Sequence, residues 1–144
     1  MVYQIAIGSG IVIVSVLFSS GIFLALEAVM AWAHHWLMRA PHRPKLALVL
    51  VVNVIGALGM ITVGVWIWAL AYWGLGIFGT IEESLYFSLV AYTTLGFGDI
   101  ILPDAWRILS GMNAANGFLN IGMMSAVVLE TLRHVRRNQL AEKG

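Results

Sequence analysis

The chain has 144 residues, 60% of them hydrophobic and only 10% charged, with a formal net charge of +1 and no cysteine. A soluble body this small exposes too much surface per volume to be coated by so few polar groups, so the composition points to an integral membrane protein. It excludes a disulfide framework, a thiolate metal centre and the basic surface a nucleic-acid binder needs, and His34, His35, His42 and His134 form no ligand pattern.

The first apolar stretch, residues 5–26, is uncharged, and its character persists with interruptions to about Met38. It has no basic start and is too long for a signal peptide, so residues 1–38 are expected to hold a retained transmembrane helix. Its end, "LEAVMAWAHHWLMRAPHRPK", has the look of an amphipathic segment lying along the membrane surface. There Glu27 either pairs with a histidine or Arg39 or simply reaches the interface, and His34 and His35 are either pH-sensitive or ordinary interfacial histidines.

Residues 46–75 carry no charge at all, and residues 108–129 are uncharged but rich in small and polar side chains. A bilayer core of roughly 30 Å needs about 20 apolar residues, so each stretch can span, giving helices expected at 46–75 and 107–132 and a short cytoplasmic tail at 136–144. Arg39, Arg43 and Lys45 follow the first span, and Arg133, Arg136, Arg137 and Lys143 follow the third. The positive-inside rule puts both groups in the cytoplasm, the uncharged N-terminus outside, and the connection 76–106 outside. Trp66, Trp68, Tyr72 and Trp73 then form an outer aromatic belt, with Trp32 and Trp36 in the inner one.

The outer connection is not a simple loop. Residues 81–92, "IEESLYFSLVAY", read as a helix capped by Ser84 or Thr80, with Glu82 and Glu83 in the first turn where acids suit the helix dipole. It is too short to span, so it is expected to enter the membrane from outside and stop near the middle. "TTLGFGD", residues 93–99, then climbs back out to Pro103. Irregular backbone at that depth must line water or be buried in protein. Gly96 and Gly98 take left-handed dihedrals at little cost, which lets the chain turn consecutive carbonyls to one side while Leu95 and Phe97 point away into protein. The Thr94 hydroxyl adds to that row. Four such strands around an axis would stack rings of oxygen able to replace the water shell of a cation.

Thr93-Thr94-Leu95-Gly96-Phe97-Gly98-Asp99 resembles the signature of the potassium-channel pore-domain family, usually Thr-Thr-Val-Gly-Tyr-Gly-Asp. The likeness covers residues 46–135 and leaves the first helix outside. It implies an all-α membrane protein: three transmembrane helices plus a re-entrant pore helix and filter loop, assembled as a fourfold homotetramer in the lipid bilayer. It also implies potassium ions held by Thr94, Leu95, Gly96 and Phe97, with Gly98 completing the filter and Thr93, Asp99, Tyr86 and Phe87 supporting it. Leu95 replaces the usual valine. Phe97 replaces tyrosine and loses a hydroxyl, and Phe87, at the position of the tryptophan that receives it, has no donor either, so no buried polar group is orphaned. Tyr86 either bonds Asp99 behind the filter or packs plainly.

In the last span Asn113, Asn116 and Asn120 form one stripe, with Gly111, Ala115, Gly122 and Ala126 opposite at four-residue spacing, a pattern suited to close helix packing. The asparagines should face a water-filled cavity or another helix. One alignment with the family puts Asn120 on the cavity, with Asn116 beside it; the ungapped one puts Leu119 and Gly122 there. Gly117 and Gly122 serve either as a hinge or for packing.

The expected function is passive potassium conduction at a bacterial inner membrane, with no enzyme activity, no cofactor besides the permeant ion, no nucleic-acid partner and no soluble regulatory domain in the chain. A weakly selective monovalent cation channel is the alternative. A transporter with four unlike pore loops and a non-conducting accessory subunit fit less well.

Overall fold

The computed structural model describes residues 2–38 and 42–141. Arg39 and Lys143 of the orientation argument lie outside the described residues, as do the side chains of His34, Arg43 and His134. Four α-helices and a single 3-10 turn make up the fold: α1 (Val2–Met38), α2 (His42–Gly74), α3 (Ile81–Tyr92), the turn Asp104–Trp106, and α4 (Arg107–Ala141). The described residues contain no strand, so the all-helical class expected from the sequence holds. Three helices are long and apolar enough to cross a membrane, over Val2–Ala33, Pro44–Gly74 and Asp104–Arg133.

Residues 26–38, expected to form an amphipathic end, continue the first helix without a break. α1 is one uninterrupted helix of 37 residues, about 55 Å long. Nothing between Gly21 and Met38 breaks it, because the stretch has neither glycine nor proline until Pro41. α1 packs along both α2 and α4, and at one end Leu37, Val49, Met30, Ala33, Leu46 and Leu132 gather in a small core joining all three. Lys45 donates to the Trp36 carbonyl at 2.5 Å, and its ammonium sits 4.5 Å from the centre of the Trp36 ring.

At the other end, α2 closes with a left-handed Gly76 (φ 67°). The Gly76 amide donates to Trp73 O at 3.0 Å and the Ile77 amide to Tyr72 O at 3.1 Å, the paired bonds of a Schellman cap. The chain turns back and Thr80 caps α3: its hydroxyl accepts from the Glu83 amide at 3.2 Å, while Ser84 donates to Thr80 O at 2.9 Å. Of the two candidate caps, Thr80 is the one used.

The main core lies where α3 slots between α2 and α4. Trp68, Tyr72, Phe87, Tyr92, Leu102 and Leu109 are buried there, with Ile7, Ile11 and Val12 of α1 closing one side. Trp68 and Tyr72 are therefore not part of an aromatic belt. Both are 0% exposed and face α3 and α4, whereas Trp66 and Trp73 are open. α3 has 12 residues, about 18 Å, and ends against Gly64 and Gly117. Each glycine is ten residues, about 15 Å, from the loop-side end of its helix (64 to 74; 107 to 117). α3 thus stops at about half the depth of a hydrocarbon core.

Candidate functional site

The loop after α3 starts as a helix cap. The Thr94 amide donates to Ala91 O at 2.9 Å and the Leu95 amide to Val90 O at 3.0 Å, which is again the Schellman pairing. Thr93 folds back entirely, its hydroxyl donating to Leu89 O at 2.7 Å. The residue forced left-handed by this cap is Thr94, at φ 60°. A β-branched side chain there costs about 1–2 kcal/mol, and neither composition nor motif reading anticipated it. Gly96 (φ 58°) and Gly98 (φ 73°) are left-handed as well, and Leu95 and Phe97 between them are not. The backbone alternates in hand at every residue from 94 to 98, the geometry a chain needs to turn successive carbonyls the same way.

All five residues, Thr94 to Gly98, are exposed on the single chain. Leu95 and Phe97 were expected to point into protein; instead they are 60% and 66% exposed. Behind the loop lies a gap of about 340 Å³, lined among others by Phe87, Ala91, Ile100, Ser110 and Ala114.

Tyr86 and Asp99 are brought together. The phenol donates to Asp99 Oδ2 at 2.5 Å, tying α3 to the top of the loop. This hydrogen bond is the first cause holding the Asp99 carboxyl below, and the Tyr86 phenol above, their ordinary ranges. Phe87 is buried and meets Tyr72 edge-on at 5.3 Å and Phe78 at 5.3 Å. Its ring is spent on the α2–α3 contact rather than on Phe97.

Of the two placements expected for the asparagines, the single chain shows them against other helices, and not on an open cavity face. Asn113, Asn116 and Asn120 are 0%, 1% and 0% exposed inside the single chain. They point between the helices because that is where polar partners are: Asn120 Nδ2 donates to Tyr92 Oη at 2.8 Å and to Asn116 Oδ1 at 3.2 Å. Asn113 faces the Tyr72 hydroxyl without closing a bond of ordinary geometry; that hydroxyl donates to Leu109 O at 3.3 Å. The open face of α4 instead carries Gly111, Ala115, Phe118, Leu119, Gly122 and Met123, the ungapped register. Gly117 is a packing residue, since a Cβ there would lie 1.8 Å from Tyr92 O.

Tyr92 at the site escaped the sequence reading, as did two bonds in the helices around it. Tyr92 is fully buried at the foot of the loop. Ser88 donates to Val65 O at 2.7 Å and fastens α3 to α2. Arg107 pairs with Asp104 at 2.5 Å on the exposed surface, a contact worth little on its own. The one available signal for Tyr92 was a large aromatic beside "TT" in a chain whose flanking helices carry glycine at matching depth.

A half-length helix between two long apolar helices, ending in a loop of alternating hand, defines a pore-loop membrane protein. The family model described as "Ion channel" matches residues 47–134, which is most of α2, all of α3, the loop and most of α4. The chain belongs to this ion channel family, a family of channels and not of enzymes. No curated protein and no solved structure matches it significantly. α1 lies outside the matched region.

Proposed function

We propose that four copies of this chain form a potassium-selective channel, with Thr94, Leu95, Gly96 and Phe97 lending main-chain oxygens to dehydrated potassium ions. The observation that carries this reading is the alternation of hand through Thr94–Gly98 within the sequence "TTLGFGD". Such a strand offers oxygens on one side, and four of them around an axis replace a hydration shell. The C-terminal end of α3, with its partial negative charge, supports a cation below the filter. The bare apolar faces support assembly: Leu95, Phe97, Phe118 and Leu119 are all more than half exposed in one chain. Closed symmetry is the ordinary way to cover a face that each copy presents.

In this reading Arg136 and Arg137 lie on the cytoplasmic side of a cell membrane, and the start of α1 and the loop 93–99 face outward. Purified protein in liposomes under a potassium–sodium gradient tests it. The reversal potential should follow potassium, and native mass spectrometry should give a tetramer. A reversal potential indifferent to replacing potassium by sodium would favour the weakly selective channel, for which one observation speaks: Phe97 carries no hydroxyl to brace the filter. A tetramer without flux would leave an accessory subunit, and a dimer would overturn the pore.

A further inference from the structure

We propose that Tyr92 is the positioning residue of the filter, through which both α4 and the additional helix α1 act on it. This rests on reading residues 94–98 as an ion filter. Tyr92 is the last residue of α3, 0% exposed, and two residues before Thr94. It is gripped from three other helices. On α2, a Cβ at Gly64 would lie 2.2 Å from the phenol oxygen, so only glycine admits the ring. On α4, Gly117 sits against the Tyr92 main-chain oxygen, and Asn120 donates to its hydroxyl at 2.8 Å. On α1, Ser15, 1% exposed, lies against the same hydroxyl, short of ordinary hydrogen-bond geometry.

The two contacts with α4 are three residues apart and hold both the backbone and the ring of one residue. α4 therefore cannot slide or rotate without moving Tyr92. Two residues further on, Thr94 sits in a left-handed conformation that persists only where its surroundings over-determine it. The polarity of the grip matters. Apolar packing tolerates rotation, whereas a buried hydroxyl and amide that lose each other are left unpaired in an apolar medium, so the pair fixes one register. Asn116, accepting from Asn120, fixes the amide's orientation. This assigns the asparagine stripe to the filter's foot and gives α1, outside the family match, a place in the conducting unit.

The test uses the full chain in liposomes, reading the potassium-to-sodium permeability ratio from bi-ionic reversal potentials. A wild-type ratio near one would overturn the filter reading and this inference with it; a potassium-selective wild type isolates the inference. Tyr92→Phe and Asn120→Leu should each lower the ratio about three- to tenfold, the size of one net hydrogen bond, and the double variant should lower it no further. Ser88→Ala is the control, because it removes an equally buried α3–α2 hydrogen bond that does not touch Tyr92. It should reduce thermal stability and leave the ratio unchanged. The proposal fails if Tyr92→Phe and Asn120→Leu keep the wild-type ratio, if their effects add, or if Ser88→Ala lowers the ratio as much. If Tyr92→Phe does not assemble, Asn120→Leu decides alone against the Ser88→Ala control, since it removes the same bond from α4. A fall in the ratio supports the proposal and an unchanged ratio overturns it.

Discussion

α2 and α3 end in the same hydrogen-bonded cap, and the two ends have opposite characters. At the end of α2 the left-handed position is Gly76, a Cβ there would meet nothing within 4 Å, and the turn simply reverses the chain. At the end of α3 the same position is Thr94, and the helix behind it is clamped by Gly64, Gly117 and Asn120 through Tyr92. A glycine cap is relaxed and needs no neighbours. A threonine cap costs about 1–2 kcal/mol in the backbone and stands because the surrounding helices hold it. Where a fold spends stability on a left-handed β-branched residue, the hydroxyl or the fixed geometry is what it retains.

The largest effect expected from disturbing this contrast is at the clamp. Gly117→Ala places a Cβ 1.8 Å from the Tyr92 carbonyl oxygen, which belongs to backbone and cannot swing aside. It should cost about 3 kcal/mol or more, seen as loss of assembled protein or a large drop in thermal midpoint in detergent. Gly59→Ala, on an open stretch of α2 with nothing within 4 Å, should be neutral or slightly stabilising, by up to ~1 kcal/mol. Equal effects at the two sites would mean that the α3–α4 approach is looser than described.

Next come the left-handed positions themselves. Gly76→Ala and Gly96→Ala impose the same backbone penalty of about 1–2 kcal/mol, at φ 67° and φ 58°. On the proposed reading only Gly96→Ala should abolish potassium selectivity, because only there would the hand of the backbone aim an oxygen at a permeant ion. Thr94→Gly runs the contrast backwards. It removes the strain at Thr94 but adds about 0.5–1 kcal/mol of unfolded-chain freedom, so stability should stay within ~1 kcal/mol of wild type while the permeability ratio falls. A variant that becomes more stable and keeps full selectivity would make the threonine incidental.

Much of this was legible in the sequence, and what was missed follows a pattern. α3 could be read because its signals are local: a threonine cap, two acids in the first turn, twelve residues of helix and then glycines. The left-handed glycines could be read for the same reason. What failed were statements about direction. The spacing of Trp68 and Tyr72 shows that they share a helix face, and the asparagine stripe is visible at a glance. Neither pattern says whether that face meets water, lipid or another helix. The asparagines turned inward because Tyr92 of α3 offers a partner there, a contact 28 residues away in sequence that only the packing reveals. The left-handed Thr94 was missed for a different reason. Local preference argues against a left-handed threonine, and the cap formed with Val90 and Ala91 overrides it.

The smallest expected effect sharpens the contrast from the other side of the loop. Among the described residues, no side-chain hydrogen bond reaches the turn 75–79 after α2, whereas the α3 loop is also held at its top by Tyr86 and Asp99. The bond lowers the pKa of Asp99 and raises that of Tyr86. A carboxyl lowered on folding contributes stability above its ordinary value of about 3.9 and loses it as pH falls through the lower folded value. A phenol raised on folding contributes below about 10 and loses it as pH rises through the higher folded value. The tie is therefore intact across the neutral range and weakens only at both extremes. If ion flux in liposomes is followed against pH on the loop side, Tyr86→Phe should move the acid-side midpoint set by Asp99 up toward the ordinary carboxylate value. Both groups are open to water, so thermal stability at neutral pH should hardly change. A midpoint that does not move would show that the carboxylate is held by the backbone amides of the loop, Asp99 and Ile100, rather than by the phenol.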